Sequence, residues 1–451
     1  MKTKSLFAKT KSLFKLSAAV CALLAACAPA ARAQERDVPK VEVGAQFSSL
    51  SLTPPDAFFG GTENRIGFGG RVTYNLTHYF AVEAEGTLYP SKGITTLSTG
   101  GRAMQGQFGV KVGKRWERFG VFAKARPGLI SFGEALGITE RRIESGGQVF
   151  TFPVFIPERK THFAADVGGV LEFYASRRTM VRFDFGDTII RYGERETLGS
   201  LIIIGPDIQR PIIRLPSETK HNFQFTAGIG YRFGGGAEPG VPGAQKASDD
   251  AEGFRRFEAG IQFSSLLFDE PDRVPGGAQV VDDRVNAESG FGGWFGVNLS
   301  RSLALEASGN FFPRKSFTNE TTGGYPSQLQ AGVKAGRRWE RWGLFAKARP
   351  GFVSFSNSLR FEGTDTIVFD GQTFVLPRFE RGSRTYFSTD LGAVVELYPS
   401  RRLVTRFDFG DTIIRYGERE TFGIVTSQGV PRLPAETKHN FQFTAGLGFR
   451  F

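Results

Sequence analysis

The sequence predicts an all-β protein: two tandem eight-stranded antiparallel barrels behind an export segment. Three observations predict it: a repeat that spans the chain, period-two alternation of apolar and polar residues, and long variable connections that alternate with short fixed ones. The 451 residues include 45 Phe and 57 Gly and are 40% hydrophobic. That composition suits packed strands and is too apolar for a disordered chain.

The export segment comes first. Lys2, Lys4, Lys9, Lys11 and Lys15 precede an apolar run from Leu16 to Ala30, and Ala31-Arg32-Ala33 places small residues before a cut at Gln34. Residues 1–33 therefore read as a bacterial signal peptide. Leu24-Ala25-Ala26-Cys27 offers a second reading, a lipoprotein box that would leave Cys27 as a lipidated N-terminus. Both cysteines, Cys21 and Cys27, fall in this segment, so no disulfide is expected in the exported remainder. Its removal halves the formal charge of +12, which argues against a nucleic-acid partner. No later run approaches the roughly 20 apolar residues of a spanning helix.

The repeat follows. Gly44-Ala45-Gln46-Phe47-Ser48-Ser49-Leu50 returns as Gly260-Ile261-Gln262-Phe263-Ser264-Ser265-Leu266, and residues 183–198 return at 407–422 with one change. The copies occupy residues 34–233 and 255–451. Between them, 234–254 carries Gly234-Gly235-Gly236, Pro239, Pro242 and Asp249-Asp250, the composition of a flexible linker. The offset between copies is 216 residues at Gly44/Gly260, 223 at Glu83/Glu306, 224 at Asp184/Asp408 and 218 at His221/His439. Length changes fall in three of the four segments 53–65, 90–104, 133–161 and 192–220, the offset being 223 on both sides of the second. The joints at 76–79, 116–119 and 175–178 keep their length.

Between connections the residues alternate, as side chains of a strand do. Phe223, Phe225, Ala227, Ile229, Tyr231 and Phe233 share one face and Asn222, Gln224, Thr226 and Arg232 the other. The first copy yields strands at Val41–Leu52, Ile66–Leu76, Phe80–Tyr89, Gln105–Trp116, Phe119–Phe132, His162–Ala175, Met180–Tyr192 and Asn222–Phe233; the second copy repeats them. The polar faces carry Glu83, Glu85, Lys111, Arg115, Lys124, Arg126, Asp166, Glu172, Arg182, Asp184 and Arg232. A soluble sandwich would cover its apolar faces with a second layer, and neither copy contains a convincing element to do so. A closed barrel can turn those faces to lipid, since closure pairs every backbone group and removes the edges.

Eight strands, short even turns, long odd loops, a charged interior and the ending Gly-Phe-Arg-Phe resemble the OmpA/OmpX-like outer-membrane β-barrel superfamily over almost all of each copy. The resemblance implies an insertion signal at Phe441, Phe443, Leu447, Phe449 and Phe451, read by the outer-membrane assembly machinery. Phe223, Phe225, Ile229, Tyr231 and Phe233 match the same pattern. One sixteen-stranded barrel remains the alternative fold. In small barrels the interior is filled, so charges are expected to pair there: Glu83, Lys111, Lys124, Arg126, Asp166, Glu172, Arg182 and Asp184 in the first copy, and Glu306, Lys334, Lys347, Arg349, Asp390, Glu396, Arg406 and Asp408 in the second. Trp116, Trp339 and Trp342, at short turns, read as interfacial aromatics on the periplasmic side. Pro127 and Pro350 depart from strand chemistry and are expected to mark bulges.

Catalytic chemistry is sparse. Asp184-Phe185-Gly186 spells a kinase metal motif but lies on an alternating strand without the companion loops. Asp184 and Asp187 face opposite sides, so they form no dyad. His221 and His439 open the last strand of each copy, where a hydrolase would need a nearby nucleophile. Ser217 sits there in the first copy and Ala435 in the second, which favours rim hydrogen bonding. The fourth loop, with Leu201-Ile202-Ile203-Ile204 and Pro211-Ile212-Ile213, reads as a projecting hairpin: an extension of the last two strands, or an apolar edge for a partner added by strand pairing. The expectation is an integral outer-membrane protein of a Gram-negative-type bacterium, without enzymatic activity or cofactor. Its partners would be outer-membrane lipid, the assembly machinery and a surface partner met by its extracellular loops. A passive porin-like channel for small solutes is the alternative if the copies form one sixteen-stranded barrel.

Overall fold

Strand pairing closes the chain into two separate rings. A computed structural model describes residues 38–55, 61–145, 148–198, 202–204, 207–209, 211–234, 255–269, 271, 286–316, 318–421 and 429–451. The expected export segment 1–33 and all but Gly234 of the expected linker 234–254 lie outside the described residues. The first ring comprises β1 (Val41–Leu52), β2 (Glu63–Asn75), β3 (Phe80–Gly93), β4 (Gly101–Arg115), β5 (Phe119–Ser145), β6 (Gln148–Tyr174), β7 (Thr179–Tyr192) and β8 (Glu218–Phe233). Each strand pairs antiparallel with its sequence neighbours. β1 closes the ring on β8, with Val41 opposite Phe233 and Phe47 opposite Ala227. The second ring comprises β9 (Phe257–Phe268), β10 (Asn286–Asn298), β11 (Leu303–Phe311), β12 (Pro326–Arg338), β13 (Trp342–Phe369), β14 (Gln372–Leu397), β15 (Leu403–Tyr416) and β16 (Glu436–Arg450). It closes through β9 and β16, with Phe263 opposite Ala445. A sixteen-stranded barrel would need β8 bonded to β9; each first strand is instead bonded to its own last strand. The predicted pair of eight-stranded barrels is the fold found.

Local chemistry explains the short turns. Thr77 Oγ1 accepts the N–H groups of Tyr79 and Phe80, and Ser176 Oγ those of Arg178 and Thr179. Ser300 and Ser400 serve the second ring in the same way. A hydroxyl that satisfies two turn amides fixes a tight reversal in few residues.

The largest departure from the sequence reading lies at 133–161. That segment was expected as a loop, but β5 and β6 run on as one ladder to Ser145 opposite Gln148. Each has 27 residues, against 14 in β7, so the surplus projects about 40 Å at roughly 3.3 Å per residue. β13 and β14 form the counterpart, turning through Asp370 (φ 49°) and Gly371 (φ 71°) between the paired Phe369 and Gln372. Two consecutive left-handed residues make a type I′ hairpin turn, for which Asp-Gly is a preferred sequence. Gly371→Val should cost about 1–2 kcal/mol locally. It is expected to open the tip to limited proteolysis while the barrel's heat-modifiable gel mobility stays unchanged; unaltered proteolysis would count against this turn.

The expected bulges at the prolines are corrected. Pro127 and Pro350 stay in register with Ala165 and Thr389, while the ladder on their other side lapses, from Gln107–Gly128 to Val110–Ala125 and from Gln330–Gly351 to Val333–Ala348. Proline lacks one donor, and omitting a rung accommodates that without an inserted residue. The register shifts lie further out, at Phe132/Ala135, Phe355/Ser358 and Phe361/Gly363. The fourth loop of the first ring continues as two-stranded ladders, Arg195–Leu198 with Ile212–Leu215 and Ile202–Ile204 with Asp207–Gln209.

Most outward aromatics are exposed, among them Phe68, Phe108, Phe163, Phe352 and Phe387. The exception is a belt between the rings. Phe47 stacks on Phe443 and Phe225 on Phe263, with centroids 3.9 and 4.0 Å apart. The rings also share one strand bridge, Asn64 opposite Ala287.

Candidate functional site: the barrel interiors and their rims

Each interior holds three layers. Alternation sends Glu83, Lys111, Lys124, Arg126, Asp166, Glu172, Arg182 and Asp184 inward, and all are buried. Lys111 bonds Glu172 and lies 3.5 Å from Glu83 and 3.6 Å from Glu42. Arg182 donates to Glu83 and Asp184, and Arg126 to Glu85 and Asp166. Lys124 pairs with Asp166 at 2.7 Å. The second interior repeats the scheme. Lys334 bonds Glu258 and Glu396, and Arg406 donates to Glu306 and Asp408. Arg349 reaches Glu306, Asp390 and Asp408, and Lys347 pairs with Asp390 at 2.5 Å. All sixteen predicted interior charges join these clusters. Buried ions demand such pairing, because desolvation penalises any that stands alone.

Above the charges lies an amide and hydroxyl layer. Gln224 Nε2 donates to Ser48 Oγ at 2.9 Å, and Thr188 Oγ1 to Gln224 Oε1 at 2.6 Å. Gln442, Ser264 and Thr412 repeat this in the second ring. The outermost layer is apolar. Leu50, Leu52, Tyr89, Ile130, Phe132, Ile190 and Tyr192 pack together in the first ring, and Leu266, Phe268, Phe312, Phe355, Tyr386, Ile414 and Tyr416 in the second.

Several of these residues escaped the sequence reading. Leu50, Leu52, Ile190 and Tyr192 are apolar and so suit either side, yet they keep the parity of the inward Ser48, Asp184 and Thr188. Strand parity was the signal that could have found them. Glu42 and Glu258, near the strand starts, share the inward parity of Ser48 and Ser264 and are buried with them. Arg71 and Trp294 mark the main difference between the interiors. In the first ring Arg71 stands opposite Glu85; in the second, Trp294 stands opposite Ser308. One base and one acid are exchanged together, so the balance of buried charge is kept. Trp294 packs where β-carbons on Gly446 and Gly448 would come within 2.5 and 2.8 Å of its ring, and the Arg406 guanidinium lies 5.3 Å from its centroid.

Trp116, Trp339 and Trp342 are exposed at the short turns. Trp116 stacks on Phe119 and Trp339 on Trp342, with Lys114 and Arg337 over the rings. Of the five terminal residues singled out, Phe441, Phe449 and Phe451 are exposed. Phe443 is buried against Phe47, and Leu447 is partly buried beside it. The outward aromatics of the closing strands therefore do not all face lipid, because the other ring covers the middle of each.

At the opposite rim, His221 Nδ1 lies 2.6 Å from Asp187 Oδ2 and His439 Nδ1 2.6 Å from Asp411 Oδ2, all four side chains exposed. The same aspartates accept the N–H groups of Asn222 and Asn440. Asn222 Oδ1 in turn accepts the Thr53 N–H, and Asn440 Oδ1 the Asp269 N–H. Each histidine thus belongs to a latch that ties the loop after the first strand to the last strand. Arg195 and Arg419 clamp the fourth loops, donating to the Pro216 and Pro434 carbonyls; burial holds the Arg419 guanidinium below its usual pKa. Among the described residues, no group of three or more His, Cys, Asp or Glu side chains is placed to hold a metal ion.

Residues 18–233 match the family described as outer membrane protein beta-barrel domain. No curated protein sequence matches the chain. Similar solved structures include the N-terminal β-barrel domain of OprF from Pseudomonas aeruginosa, at 13% identity over 44% of this chain and 98% of that one, with a TM-score of 0.23. Neisserial surface protein A is 13% identical over 43% and 96% of the two chains, with a TM-score of 0.24. A FadL homologue from Pseudomonas aeruginosa is 11% identical over 91% and 90%, with a TM-score of 0.25. Closed rings with charges inside and phenylalanines outside agree with the family match: the chain carries an outer membrane protein beta-barrel domain over residues 18–233 and is an integral protein of the outer membrane, in contact with its lipid.

Proposed function

We propose that this protein is a non-conducting, non-enzymatic structural or surface-binding module, which presents its loops and long hairpins at the cell exterior. The carrying observation is the apolar layer that caps each charged interior. Water-lined channels keep polar walls along their length, whereas here Phe132 and Tyr192 in one ring and Phe355 and Tyr416 in the other are fully buried across the lumen. In this reading residues 1–33 direct export, 234–254 link the units 34–233 and 255–451, and Phe441, Phe443, Leu447, Phe449 and Phe451 present the insertion signal to the assembly machinery. Trp116, Trp339 and Trp342 then mark the periplasmic interface. Surface partners would be met by the hairpins, where Ile367, Val368 and Phe369 stand exposed beside the tip.

Planar bilayer recording tests the reading. Silence over many reconstituted copies is the expected result; large, stable, reproducible openings would replace it with a passive pore for small solutes.

A further inference from the structure

The aromatic belt between the rings has a symmetry that neither ring needs for its own closure. Phe47 and Phe263 occupy the same place in the repeated Gly-x-Gln-Phe-Ser-Ser-Leu stretch, and Phe225 and Phe443 the same place in the repeated ending. The contacts Phe47–Phe443 and Phe225–Phe263 are therefore one contact made twice, each first strand stacking on the other ring's last strand. Phe183 meets its own counterpart Phe407 at 6.2 Å, their planes 18° apart. Reciprocity of this kind defines an isologous, two-fold interface.

Burial separates this face from the outward aromatics elsewhere on the rings. Phe225 is 1% exposed and Phe443 2%, against 62% for the outward Phe108. Ala227 and Ala445, also buried, alternate with these rings along the closing strands. Lipid tails are as apolar as phenylalanine, so greasiness alone does not bring two membrane surfaces together; close packing beside small residues and polar contacts must do it. A polar contact is present: Ser49 Oγ lies 2.6 Å from Ser289 Oγ across the junction, near the Asn64–Ala287 bridge. At the related position the first ring has Ile66, opposite Ser49, where the second has Ser289, opposite Ser265.

We propose that this six-phenylalanine face is a self-matching, lipid-excluding interface that holds the two eight-stranded units together in the bilayer whether or not the 234–254 connection is intact. The partner each face fits is another copy of the same unit, here supplied by the same chain. The proposal is independent of whether either interior conducts.

The full chain, carrying a specific protease site between residues 240 and 250 and an affinity tag on the second unit, is folded into detergent micelles and cleaved. The first unit is expected to remain with the tagged second unit through size exclusion. Phe47→Ala, Phe225→Ala, Phe263→Ala and Phe443→Ala combined should abolish that retention after cleavage, while the equally apolar Phe108→Ala with Phe352→Ala should not. Heat-modifiable gel mobility establishes that each fragment is still a folded barrel. A second measurement needs no weakened variant: Ser49→Cys with Ser289→Cys should oxidise to a cross-link that keeps the cleaved fragments in one non-reduced band. Separation of the wild-type fragments on cleavage, retention by the folded four-alanine variant, or failure of the cysteines to cross-link would each overturn the proposal.

Discussion

Arg182→Ala is expected to destabilise the first barrel by about 3–5 kcal/mol, the range found when one partner of a buried ion pair is removed. Arg182 donates to both Glu83 and Asp184 within the sealed interior, so its loss leaves two carboxylates short of their main donor. Lys111, 3.5 Å from Glu83, and Lys124, 3.6 Å from Asp184, remain and offset part of the loss. Removing one acid as well, in an Arg182→Ala, Glu83→Ala chain, should recover much of it, because the penalty lies in uncompensated charge more than in lost attraction. Urea unfolding in detergent, followed by tryptophan fluorescence, measures both. The same experiment separates a filled interior from a wet one. In a water-lined lumen the ion pair would behave as an exposed one, worth about 0–1 kcal/mol, and a change that small on Arg182→Ala would remove the basis for a closed barrel.

Trp294→Ala should cost the second barrel about 3–5 kcal/mol, as truncation of a large buried aromatic does. Trp294 fills space bounded by Gly260, Gly446 and Gly448, and no flexible side chain at those glycines can move in to occupy the void. Its fluorescence gives a second readout. Trp116, Trp339 and Trp342 are exposed at turns while Trp294 is buried, so the variant should lose the blue-shifted part of the emission. Trp294→Arg alone should also destabilise, since it adds a base without an acid. Adding Ser308→Glu restores an acid at the position opposite, as Glu85 stands opposite Arg71 in the first ring, and should return part of the stability. An unchanged midpoint for Trp294→Arg would mean that the interior has water to spare.

Much of the architecture was legible in the chain. β1 was expected at Val41–Leu52 and found there, and strand starts such as Phe80 and Phe119 were read correctly, because alternation and the fixed turns constrain a strand locally. The hairpins were not. Residues 133–161 change length between copies, which looks like a loop, but a ladder of two strands tolerates length change as well as a loop does when it stands outside the barrel wall. Interior charges could be nominated from the chain because an acid or base in the middle of a greasy strand has few places to go. The interior plug was missed, because Leu50 or Tyr192 would be equally at home against lipid.

What the sequence determined by itself was side and order: which residues share a strand face, how many strands each copy contributes, and which charges must be enclosed together. These follow from a period-two backbone and the cost of an unpaired buried ion, both readable one strand at a time. What only the tertiary structure decided was neighbourhood. Phe443 and Phe449 have the same parity on the same strand, yet one is buried against Phe47 and the other is exposed, because the pleat fixes where a side chain points but not which surface meets it.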